Sequence, residues 1–217
     1  MKSDQTSNDV VPAAAVFPRI FTYCALVLVS YCVLLAELRF TADPADYFLE
    51  FGIAEMWQFV LLFVACALLI VAIAKVTEDR ELNILVVGLL TCMFVREADA
   101  FFDVFVFDGA WQVVVTLVLI ATGWILRKSF RAIGPQLNRL AHSSPFGFAV
   151  AAFVSLVLFS RLFGRGTFWK QLMQDDYVRV AKNAAEEGTE ILGYTLLLIG
   201  VIDHLWRYRR LAALRSG

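Results

Sequence analysis

Apolar residues in this chain come in long runs separated by short charged stretches. They show neither the two-residue alternation of a strand nor the single stripe of a surface helix. The runs are about 17–24 residues long, the length a helix needs to cross a hydrocarbon core of roughly 30 Å. They predict six membrane helices, over residues 17–40, 51–74, 84–103, 111–126, 145–163 and 184–206. Pro145 suits the first turn of the fifth, where no intrahelical donor is needed. Residues 1–16 are small and polar and read as a disordered tail, and residues 207–217 form a second, basic tail. The first run is longer than a signal-peptide core and ends in Ala36-Glu-Leu-Arg-Phe40, so it reads as a retained helix. The expected fold class is therefore all-α: one polytopic membrane bundle of about six transmembrane helices, with no internal repeat.

Two connections are long. Residues 127–144 read as a basic loop. Residues 164–183 carry Phe168, Trp169, Leu172 and Met173, which suit a short interfacial amphipathic segment or a partner-docking surface. In the same connection Asp175-Asp176 can cap a helix that continues into the sixth span.

Charge fixes an expected orientation. With the N-terminus inside, the inner segments carry twelve Lys and Arg and the outer ones six, which places both termini in the cytoplasm. Trp57, Trp111 and Trp169 then fall near the outer interface, and Trp124 and Trp206 near the inner one. Composition agrees with a membrane protein. The chain is 60% hydrophobic, against about 45–50% for a soluble domain. A net charge of −1 argues against a nucleic-acid partner. Cys24, Cys32, Cys66 and Cys92 all fall within spans, without zinc spacing, and read as small hydrophobes.

The acids are the unusual feature. In this topology 14 of the 20 lie in the outer half, several of them inside apolar runs. Acids within spans usually face a bundle interior or a wet cavity. In the third span Arg96, Asp99 and Asp103 recur at i, i+3 and i+7 and share a face of a continuous helix, with Glu97 turned to one side. In the sixth span Glu187, Glu190 and Tyr194 share a face, with Glu186 four residues before Glu190. Gly188 and Gly193 there would permit close helix approach. Glu37 and Glu55 lie at similar depth on the first two spans.

This cluster admits three readings. Glu97, Asp99, Glu187 and Glu190 could bind or pass a cation or proton, and all-oxygen ligands suit a divalent ion such as calcium, magnesium or manganese. Alternatively, Arg96 pairs with Glu190 or Glu37, the acids fix helix packing, and the protein is a non-catalytic accessory or assembly subunit. A membrane enzyme acting on a lipid-borne substrate at the outer interface is the third, and would need a bound divalent metal and a lipid-sized cleft between helices. His142 reads as solvated and His204 as an interfacial anchor. Partners beyond the lipid bilayer, whether a homo-oligomer or a membrane complex, stay open.

The segments Arg96-Glu-Ala-Asp-Ala-Phe-Phe-Asp103 and Lys182-Asn-Ala-Ala-Glu-Glu-Gly-Thr-Glu-Ile-Leu-Gly-Tyr194 resemble those of small multi-span bacterial inner-membrane proteins of unassigned function. The likeness runs from about Glu50 to Trp206. It implies a bacterial inner membrane and outward-facing acids, and no activity.

Overall fold

The structure, a computed structural model, describes residues 13–42, 47–48, 52–176 and 178–216. Most of the N-terminal tail, the loop acids Asp43, Asp46 and Glu50, and the side chains of Asp176 and of the basic tail beyond Tyr208 lie outside the described residues.

Among the described residues every regular element is helical: α1 (Ala13–Phe40), α2 (Ile53–Lys75), α3 (Arg80–Glu97), α4 (Asp99–Phe105), α5 (Ala110–Leu126), α6 (Phe130–Ala141), α7 (Ser144–Phe153), α8 (Ser160–Phe163), α9 (Gly166–Met173) and α10 (Arg179–Ser216). A π-helical turn, Val154–Phe159, joins α7 to α8. Four stretches are long and apolar enough to cross a membrane: Val16–Phe40, Ile53–Lys75, Ser144–Phe163 and Arg179–Tyr208. α4 and α5 meet at 120°, and counting them as one broken span makes five. α3 has comparable length but carries Arg80, Glu81, Arg96 and Glu97 at its ends. The six spans expected from the sequence are therefore not six of one kind.

α10 is the centre of the bundle. It packs against α1, α2, α7 and α8, while α3 lies between α2 and α5. The main core joins Leu61, Leu62, Ala65 and Leu69 of α2 to Leu90, Leu156, Tyr194, Leu198 and Val201. Lipid tails are as apolar as these side chains, so close packing, and not water exclusion, must hold the helices. Gly193 shows the means: a Cβ there would fall 2.5 Å from the Leu156 side chain. Gly188, by contrast, meets Leu34 at ordinary distance.

Two sequence expectations change. The third span does not continue to Asp103. Helix α3 ends at Glu97, Ala98 forms the joint, and Asp99 and Asp103 belong to the separate short helix α4. The basic loop at 127–144 is mostly the amphipathic helix α6, whose Ile133 and Gln136 are buried. Gln136 accepts a hydrogen bond from the Leu82 amide at 2.8 Å and donates to Glu81 at 2.6 Å, closing the start of α3. That donation is the main reason the Glu81 carboxyl is held below the usual carboxylate range. Helix α10 begins at Arg179, after a 3-10 turn at Gln174–Asp176. The aromatic segment before that turn does form a helix, α9, tied back by Trp169 Nε1 to the Phe163 carbonyl at 2.5 Å.

Candidate functional site

The bundle has two polar ends, separated by the apolar core around Leu62 and Leu198. At the first, α10 presents Glu187, Glu190 and Tyr194 on one face, as their spacing requires. Each reaches a different helix. Gln58 of α2, fully buried, donates to Glu187 at 2.6 Å. Ser160 of α8, also fully buried, donates to Glu190 at 3.0 Å. Tyr194 donates to Glu97 of α3 at 2.7 Å. The π turn matters here, because a wide turn of this kind shifts the register of the residues C-terminal to it. It sets Leu156 over Gly193 and Ser160 against Glu190 in consecutive turns of one helix.

The charge around this place is mostly acidic. The charged groups acting on Glu187 are Glu190, Glu97, Glu55 and Glu186, all carboxylates. Glu190 feels Glu97 and Glu186, with Arg161 as the opposing cation. Glu97 and Glu190 thus act on Glu187 electrostatically, as do Glu55 and Glu186. Lys182 pairs with Glu186 at 2.6 Å one turn back along α10.

Other candidates are elsewhere. Glu37 is buried, and its carboxylate is taken up by backbone at and before the start of α2. It accepts from the Ala54 amide at 2.9 Å, the Phe48 amide at 3.4 Å and the Thr41 hydroxyl at 3.3 Å. Asp99 accepts from the adjacent Ala100 amide at 2.8 Å, and Asp103 accepts from the Gly109 amide at 2.9 Å in the turn to α5. Arg96 pairs with its neighbour Glu97 at 3.5 Å and with neither Glu190 nor Glu37, and its side chain is 43% exposed. The end of α3 at Ala98 accounts for this, because it leaves Arg96 on the outer side of the last turn. Among the described residues no three His, Cys, Asp or Glu side chains converge as a metal-ligand set.

The second polar end was not anticipated. His204 is buried, not an interfacial anchor. Its Nε2 lies 3.0 Å from Asn83 Oδ1 and 2.8 Å from the Tyr208 hydroxyl. Tyr208 also faces Asp79, a buried acid in left-handed backbone at the start of α3. Arg139 of α6 closes the group, 2.5 Å from Asp79. Beside it Asp203 is buried and accepts from Tyr23 at 2.7 Å and from Ser144, with Arg19 at 3.2 Å. The available sequence signal was a pair of polar residues four apart on each of two helices, Asp79/Asn83 and His204/Tyr208. All four cysteines are free thiols, and Cys24 and Cys32 are exposed on α1.

Comparison with protein-family models, with curated proteins and with solved structures finds no match for this chain.

Proposed function

We propose that this is an integral membrane protein whose carboxylate group at Glu97, Glu187 and Glu190 binds a cation or takes up protons from one side of the membrane. One observation carries the reading: the charged groups that act most strongly on Glu187, namely Glu190, Glu97, Glu55 and Glu186, are all carboxylates. In a low-dielectric place such a group is neutralised by protons or by a bound cation. The neutral donors Gln58, Ser160 and Tyr194 hold the carboxylates in fixed positions without removing that need. Binding fits better than passage. The layer of Leu62, Leu198 and Val201 separates the acidic end from His204. A divalent ion would also have to draw Glu187 and Glu190 away from Gln58 and Ser160, which makes protons or a weakly held ion the simpler occupants.

The same reading takes the chain as six spans with both termini cytoplasmic and the acids outward-facing. A bacterial inner membrane, the location suggested by the segments 96–103 and 182–194, belongs to it. The test is thermal unfolding of the purified protein against added sodium, calcium, magnesium, manganese and protons, beside Glu190→Gln. Cation- or proton-dependent stabilisation that is lost in the variant is expected. A variant that responds as the wild type does would remove the site.

A second reading has its own observation. Glu37, Asp99 and Asp103 accept backbone amides, and Glu186 is in a local ion pair. The acids would then organise the helices of an accessory or assembly subunit. Under it no cation or pH response is expected, and Tyr194→Phe lowers the yield of folded protein.

A further inference from the structure

Between α3 and α7, with α10 behind, lies a cavity of about 480 Å³. That is within the roughly 300–1,000 Å³ of small-molecule sites. Its walls are carbon side chains, among them Val86, Leu89 and Met93 from one side and Ala149, Phe153 and Val157 from the other. Leu89, Phe153 and Val157 are also exposed on the outside of the bundle, so the slot opens sideways, where lipid chains would lie. From Leu82 to Met93 its α3 wall is about 16 Å long.

Its polar side chains, Asn83 and His204, are both at one end. On α10 the slot is lined by Leu197, Gly200, Val201 and His204, and Arg207 is the next residue on that face. His204 Nδ1 and Arg207 Nη1 are buried, and neither has a hydrogen-bond partner. Buried polar atoms without partners are uncommon and need a reason. Two other cations at this end are already engaged, Arg139 with Asp79 and Arg19 with Asp203. A buried guanidinium nitrogen without a partner, one turn beyond His204 on the face of α10 that lines the slot, calls for an oxygen-bearing, anionic group attached to a hydrocarbon chain.

We propose that this slot holds one hydrocarbon chain of a membrane amphiphile, entering sideways from the bilayer, with its anionic head at His204 and Arg207. This site is separate from the carboxylate group at Glu190 and stands or falls independently of it. The acidic head meets the donor on Arg207, and the chain replaces the missing packing between α3 and α7.

The experiment uses the full chain in phosphatidylcholine nanodiscs and stearic acid carrying a diazirine on its chain. After irradiation, adducts are mapped by peptide mass spectrometry. Adducts concentrated on α7 and α3 around the slot are expected, at least fivefold above those on the outer face of α5 around Leu117 and Ile120. Unlabelled stearate should displace them about tenfold more effectively than stearyl alcohol. Ala149→Phe, which fills the slot, should remove the slot adducts and leave those on α5. Arg207→Gln should abolish the advantage of stearate over the alcohol. Equal labelling of the slot and α5 would overturn the proposal, as would competition by the alcohol equal to that by stearate. Cross-links joining two copies through the slot would overturn it as well, by making the occupant a second chain. Should Ala149→Phe fail to fold, the wild-type map and the stearate-to-alcohol comparison decide alone.

Discussion

Glu37 offers the sharpest test of how this bundle is held together. Truncation to Ala removes the acceptor for two buried backbone donors, Ala54 N–H at 2.9 Å and Phe48 N–H at 3.4 Å. A buried donor left without a partner costs about 1–3 kcal/mol. The shorter bond warrants the full range and the longer one its low end, which gives roughly 2–4 kcal/mol. For a chain of this size ~1 kcal/mol moves the unfolding midpoint by roughly 2–4 °C, so Glu37→Ala should lower Tm by roughly 4–16 °C. Glu37→Gln keeps one acceptor oxygen and should lose less than half as much. The assay is thermal unfolding in one detergent, followed by a double-mutant cycle with Arg96→Ala. Because Glu37 and Arg96 do not touch, their effects should add to within about 0.5 kcal/mol. A Glu37→Ala midpoint indistinguishable from wild type would refute the capping role. A coupling well above that margin would restore an Arg96–Glu37 pair.

Three further outcomes are expected. Gly193→Ala places a methyl 2.5 Å from the Leu156 side chain and should destabilise by about 1–3 kcal/mol, with Leu156→Ala restoring part of the loss in the same unfolding assay. Arg139→Ala leaves the buried Asp79 charge unpaired, so it should lower Tm more than Asp79→Asn, which removes that charge; the reverse order would contradict the ion pair. The Glu81 carboxyl is held below its unfolded value by Gln136, so its contribution is complete at neutral pH. It is lost as pH falls through the carboxylate range, and Gln136→Met should flatten that part of the stability–pH curve.

The long apolar stretches were legible because a helix in lipid must satisfy its own backbone and expose carbon, which leaves a signal in every residue. Thus α2 and the α7–α8 helix begin and end within two residues of expectation. The face of Glu187, Glu190 and Tyr194 was legible for the same reason, since spacing alone fixes it. Ala98 was not, because alanine favours helix and the break at that residue depends on tertiary contacts. Nor was the destination of Glu37: spacing gives the depth of a carboxylate but not which helix start it will cap. The His204 end was hidden more thoroughly. Its parts come from α3, α6 and α10, each as one or two polar residues that look like ordinary boundary positions.

The position of α10 in the chain has a consequence for biosynthesis. Its residues supply the partners of Ser30 and Tyr23 on α1, of Gln58 on α2, of Asn83 and Glu97 on α3, and of Ser144 and Ser160 farther on. All of these helices precede α10 in the chain and enter the membrane first. Until it arrives, all of these groups lack their α10 partners, and Tyr23, Gln58 and Ser144 must find water or another partner. The growing protein is therefore most vulnerable just before α10 emerges, and a stall at that point should expose it to quality-control proteolysis.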